Sequence, residues 1–154
     1  MNKQDLLPLN EVGLTLLSEG KTLKLRAEGF SMYPSIKPGS LVYIEPADIP
    51  ALKKGDIVVW RLDPGFVMHR IVRKFEKNNQ VFVVTRGDCN LYEDEALPEN
   101  LIVGKVTGIE YPEGTPVALR RYMKPEPDYF LNRLSATIMR IRRSLKNKIR
   151  KAQS

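Results

Sequence analysis

Between residues 22 and 111 the chain keeps returning to short runs that suit a β-strand, each cut off by turn chemistry. No other property restricts its fold as much. The runs fall at residues 22–26, 41–44, 57–61, 66–74, 80–85 and 101–111. Between them stand Pro38-Gly39, Lys54-Gly55-Asp56, Asp63-Pro64-Gly65, Lys77-Asn78-Asn79 and Gly87-Asp88, which favour tight turns. Strands this short and this closely spaced predict a mainly β fold, a coiled antiparallel or barrel-like domain. A short helix is expected ahead of it over residues 10–19, capped by Asn10 and stopped by Gly20. The pattern ends near Ala118, and Pro125 and Pro127 mark a break.

From Tyr129 the period changes. Leu131, Leu134, Ile138, Ile141, Leu145 and Ile149 recur in steps of three or four, an apolar stripe on a C-terminal helix whose other faces are almost wholly basic or polar. The formal net charge is +7, yet residues 126–154 hold eight basic side chains against two acids, and the rest of the chain is near neutral. Three roles are open to this helix: packing on its own domain, lying on an anionic membrane through residues 129–154, or gripping nucleic acid. The third lacks aromatic interleaving and a helix-turn-helix. The chain therefore divides into a helical lead-in (1–21), a β-domain (22–118), and a linker with the basic helix (119–154). A single cysteine, Cys89, excludes an internal disulfide and any Cys-rich zinc site. No run approaches the roughly 18 apolar residues of a membrane span. The N-terminus lacks the apolar core of a secretory signal, so the expected compartment is the cytoplasm, with peripheral contact at the inner membrane face.

Chemistry concentrates in two places. Gly29-Phe30-Ser31-Met32-Tyr33-Pro34-Ser35 offers a serine beside residues that shape the backbone, and Val67-Met68-His69-Arg70-Ile71-Val72 holds the only histidine. A serine needs a neighbouring base to become a nucleophile near neutral pH. Strand alternation puts Val67, His69 and Ile71 on one face and Met68, Arg70 and Val72 on the other. Val84-Thr85-Arg86-Gly87-Asp88-Cys89-Asn90 and the following Glu93-Asp94-Glu95 supply carboxylates able to fix the imidazole tautomer. Spacing does not separate Asp88 from Asp94. Each feature has a plainer alternative: a structural Gly-Pro turn, a core histidine, a capping aspartate, a solvated acidic cluster.

In order, the Ser31 box, Lys54-Gly55-Asp56-Ile57-Val58-Val59, the His69 box and Thr85-Arg86-Gly87-Asp88-Cys89-Asn90 resemble the boxes of type I signal peptidases and the SOS-repressor autoproteases, over about residues 22–111. The resemblance implies a coiled β-sheet peptidase fold with Ser31 as nucleophile. His69 at the base position matches the endoplasmic-reticulum and archaeal Ser-His branch. The supporting acid of that branch matches Asp88 or Asp94, with Asp94 preferred and Asp88 organising the site. Gly29 stands where some members carry an oxyanion-hole serine, which leaves that task to backbone N–H groups such as that of Ser31. Met32 would line the substrate site or sit in the core. From these residues no counterpart of that family's usual transmembrane anchor is expected.

These readings predict a serine endopeptidase, free of cofactor or metal, acting on extended peptides with small residues before the cleaved bond. The alternative is a catalytically silent module of the same fold that binds a peptide or partner. A repressor is not expected on this reading, because the roughly 20 residues ahead of the first strand are too short for a helix-turn-helix. Turnover should fall below about pH 6.5, the ordinary histidine value. A profile rising only above about pH 8 would point to a lysine base, Lys74 or Lys53.

Overall fold

The computed structural model describes residues 3–62, 65–118 and 124–152. Helix α1 (Lys3–Ser18) is followed by β1 (Leu23–Arg26), β2 (Leu41–Pro46), β3 (Ile57–Leu62), β4 (Gly65–Lys77) and β5 (Gln80–Arg86). Then come β6 (Leu97–Pro98), a 3-10 turn (Glu99–Leu101), β7 (Ile102–Glu110), β8 (Pro116–Val117) and α2 (Tyr129–Ala152). The strands form one sheet in the order β1-β2-β7-β3-β4-β5-β6, with β8 added to β7. All pairings are antiparallel. The fold is therefore the expected mainly antiparallel β-domain flanked by two helices.

Strand β3 lies at its heart and is buried from Ile57 to Trp60. Its alternating side chains feed two cores. Ile57 and Val59 join Leu17, Ile36, Val42, Ile44 and Val106, whereas Val58 and Trp60 join Leu52, Ile71, Val83 and Ile102. The sheet thus buries side chains on both faces, and register shifts interrupt the β2–β7, β3–β7 and β4–β5 pairings. The β4–β5 hairpin closes on Asn78 and Asn79 (φ 53° and 57°), the left-handed pair that a two-residue hairpin turn requires. The expected Asp63-Pro64-Gly65 turn falls largely outside the described residues, as does the start of the linker after Ala118.

One expectation is revised, and two further features were not legible in the sequence. Helix α1 begins at Lys3, so Asn10 lies inside it and is not its cap. Its end is as expected: Gly20 takes φ +77° and the Lys21 N–H closes on the Leu16 carbonyl at 2.9 Å. The two-residue strands β6 and β8, each containing a proline at the margin of the sheet, were not legible as runs.

The other such feature is the contact face of α2, a helix that Asp128 caps by accepting the Leu131 N–H at 3.0 Å. The helix does return to its own domain, but not through its apolar stripe. Ala136, 2% exposed, is the contact that buries a side chain. Tyr129 lies under the Arg86 guanidinium (3.6 Å), and the Asn132 amide donates to the Asp88 carbonyl (3.1 Å). The stripe residues Leu131, Leu134, Ile138, Ile141, Leu145 and Ile149 all remain exposed.

Candidate active site

Strand β4 carries His69 and Arg70 side by side, so alternation sends them to opposite faces of the sheet. Each finds a different aspartate. His69, 7% exposed, has its Nδ1 2.6 Å from Asp94 Oδ2. The same carboxylate oxygen accepts the Thr85 hydroxyl at 2.6 Å, and the Asp94 N–H donates to the Thr85 carbonyl at 2.8 Å. Thr85 pairs with Ile71 across the β4–β5 ladder, just before a register shift between Ile71 and Arg73. The sheet thereby holds the acid at the level of the ring.

The Asp94 carboxyl is held below its ordinary range. Burial alone would raise it, but the hydrogen bonds from His69 and Thr85 and the attraction of the imidazole outweigh that cost. An ionised Asp94 accepts the proton on Nδ1 and leaves the lone pair on Nε2, the tautomer that a general base needs.

Arg70 is fully buried and meets Asp88 in a two-pronged pair, Nε to Oδ1 and Nη2 to Oδ2, both 2.7 Å. The Ser35 hydroxyl also donates to Asp88 Oδ2. Arg70 further reaches the Gly55 carbonyl at 2.8 Å and the Lys124 carbonyl at 3.3 Å. A buried guanidinium is tolerated only with such full pairing. Asp88 thus belongs to a structural lock, and Asp94 is the carboxylate on the histidine.

The lock positions the serine loop. The Cys89 N–H donates to the Ser31 carbonyl at 2.9 Å, and the Cys89 thiol to the Phe30 carbonyl. A side chain at Gly87 would place its Cβ 2.8 Å from that Ser31 oxygen and 2.7 Å from Asn90, so only glycine lets the two segments approach. Ser35 ties the other end of the loop to Asp88. Ser31 itself is half-buried and open to solvent. Among the described residues no direct hydrogen bond joins its hydroxyl to the His69 ring. The backbone of Ser31 is clamped to the turn at the end of β5, the strand that also supplies Thr85.

The remaining candidates separate cleanly. Gly29 is exposed, and a Cβ there would meet nothing within 4 Å, so the backbone is open on that side. Met32 is a core residue, 4% exposed among Ile36, Val42 and their neighbours. Lys74 is committed elsewhere, donating to the Ile49 carbonyl at 2.8 Å and the Leu52 carbonyl at 3.5 Å. Sequence reasoning missed Thr85, Ser35 and the role of Arg70, although all three lie within or beside the quoted boxes. Among the described residues no group of three or more His, Cys, Asp or Glu side chains is placed to hold a metal ion. No helix among them is long and apolar enough to cross a membrane.

Residues 3–107, which contain every group of this site, match the family described as Peptidase S24-like. The chain is also similar to the signal peptidase complex catalytic subunit sec11 of Schizosaccharomyces pombe (strain 972 / ATCC 24843), with 31% identity over 106 aligned residues. That alignment covers 51% of this chain and 56% of the yeast protein, so the likeness spans about half of the relative's length. On the family match, which takes in the whole site and most of the sheet, the chain belongs to the Peptidase S24-like family of serine peptidases.

Proposed function

We propose that this protein is a serine endopeptidase in which Ser31 is the nucleophile, His69 the general base and Asp94 the acid that orients it. The observation that carries this reading is the 2.6 Å contact between His69 Nδ1 and Asp94 Oδ2, with Thr85 holding the same oxygen. It commits Nδ1 and leaves Nε2 for the serine proton. In sites of this kind the serine–imidazole contact commonly tightens only with substrate in place.

The Ser31 hydroxyl proton passes to Nε2 as Oγ bonds to the peptide carbonyl carbon, giving a tetrahedral oxyanion held by backbone N–H groups such as that of Ser31. The C–N bond then breaks, and the imidazolium returns its proton to the leaving amine. Water attacks the resulting ester as one of its protons passes to Nε2; the acyl C–O bond then breaks, the imidazolium returns that proton to Ser31 Oγ, and the carboxylic acid and free Ser31 are released. Asp94 remains ionised throughout and stabilises the imidazolium. The family match and the likeness to a signal peptidase catalytic subunit support peptide substrates, and the resemblance of the sequence boxes to type I signal peptidases implies small residues before the cleaved bond. The open backbone at Gly29 suits an extended chain laid alongside.

The test is digestion of a diverse peptide library by the wild-type protein and by Ser31→Ala and His69→Ala, with folding checked by circular dichroism. Cleavage after small residues that vanishes in both variants is expected. Equal cleavage by either variant, or no cleavage by the wild type, would refute the assignment and leave a peptide-binding module.

A further inference from the structure

We propose that α2 is a docking element for an anionic lipid bilayer and that it holds the Ser31 site close to that surface. The second half of this statement rests on the reading of Ser31 as nucleophile; the first does not. Helix α2 lies beyond the residues that match the family, so its role has to be read from its own geometry.

At about 100° per residue, Tyr129, Asn132, Ala136 and Arg140 fall on one narrow face. These residues touch the domain: Tyr129 under Arg86, Asn132 on the Asp88 carbonyl, Ala136 buried, and Arg140 with its guanidinium 5.2 Å from the Phe30 ring. On the same count the stripe from Leu131 to Ile149 is centred about 180° away. The helix therefore shows the protein a small, polar face and shows solvent its apolar one. Ile138 is 43% exposed and Ile149 60%. That is the reverse of a helix whose apolar face packs on its own domain.

Charge chooses the occupant. No acid occurs from Tyr129 to Ala152, and Arg142, Lys146 and Lys148 flank the stripe, all of them exposed. An apolar stripe edged by long cations is the pattern of a helix lying in a bilayer interface, with the cations reaching headgroup phosphates. A second copy stacked stripe to stripe would set these cations against one another with no acid to pair. A nucleic acid would meet side chains of leucine and isoleucine at the outermost surface.

The same contacts fix the geometry of docking. Phe30 is the neighbour of Ser31 and sits against the inner face of the helix, so a docked α2 holds that loop roughly one helix diameter, about 10–12 Å, from the lipid. Arg86 contacts both Tyr129 and the Asn90 carbonyl, which brings the loop bearing exposed Leu91 and Tyr92 to the start of the helix. Peptides displayed at the bilayer surface are then the substrates within easiest reach.

Co-sedimentation of the full chain with vesicles of equal parts phosphatidylcholine and phosphatidylglycerol, against pure phosphatidylcholine, tests the docking. Wild type and Ser31→Ala should pellet with the anionic vesicles alone, and high salt should weaken this. The double variant Ile138→Glu/Leu145→Glu should lose at least about tenfold in partitioning while keeping its circular dichroism and its cleavage of soluble peptide. A lipid-anchored copy of that peptide should be cleaved faster than the free form by wild type, and this advantage should vanish in the double variant. No pelleting by wild type, or equal pelleting by the double variant, overturns the docking. Dimerisation abolished by the double variant, or binding of duplex DNA in place of vesicles, overturns it as well. Pelleting without any peptide cleavage would uphold the docking and remove the peptidase reading.

Discussion

Asp94→Asn and Asp88→Asn should fail in opposite ways, because two aspartates six residues apart serve different partners. At position 94 the amide keeps the shape and can still accept from Thr85, but it no longer stabilises an imidazolium or enforces the proton on Nδ1. Loss of that function costs about 10³–10⁴-fold in kcat in triad enzymes, or about 4–5.5 kcal/mol of transition-state stabilisation. The site is partly wet, so the cost in folding is the scale of one charge-assisted hydrogen bond, about 1–2 kcal/mol. That corresponds to about 2–8 °C in Tm for a chain of this size.

At position 88 the opposite holds. Asp88 and Arg70 are both 0% exposed, and the amide leaves a guanidinium buried without its counter-charge. Breaking such a pair costs about 3–5 kcal/mol, or about 6–20 °C in Tm. The fraction still folded should retain kcat to within about tenfold, since no reacting group has been touched. Thermal unfolding by circular dichroism, with turnover of a library-selected peptide measured well below each Tm, separates the two. If Asp94→Asn kept wild-type turnover while folded Asp88→Asn lost it, the roles assigned to the two acids would be reversed.

Three smaller expectations follow from the same geometry. The folded carboxyl of Asp94 titrates below its unfolded value, so its contribution to stability is present above the ordinary carboxylate range and is lost as pH falls through the folded value; the stability gap between wild type and Asp94→Asn in urea should narrow on acidification toward about pH 3, and a constant gap would contradict it. Burial pushes the Cys89 thiol up, so iodoacetamide should alkylate it more slowly in the native protein than in urea, as intact mass will show; equal rates would mean an open thiol. Gly29→Ser should fold with stability within about 0.5 kcal/mol of wild type, because its Cβ enters open space, and it should not lower kcat; a large loss of either would mean that the backbone at Gly29 is closely approached.

Much of this was legible in the sequence, and the reasons are physical. Runs of alternating apolar residues between Gly, Pro and Asn turns can form little other than an antiparallel sheet, and the Ser31 and His69 boxes stood out against them. Spacing alone did not separate Asp88 from Asp94, and the family resemblance favoured Asp94. Strand parity, which sends neighbouring His69 and Arg70 to opposite faces, was readable, but the β4–β5 register that sets Thr85 beside Ile71 was not. Met32 was ambiguous because a methionine suits a core and a cleft equally well. In α2 the stripe was plain, but the contact face was hidden: Asn132 and Ala136 carry no apolar signal, and their docking depends on where the Asp88 carbonyl points.

The central claim is that His69 activates Ser31. Peptide mapping by mass spectrometry after treatment with a fluorophosphonate probe tests it most directly. The adduct is expected on Ser31 of the wild type, with labelling lost in a His69→Ala protein that remains folded. Labelling at another serine, or undiminished labelling of Ser31 without His69, would contradict it.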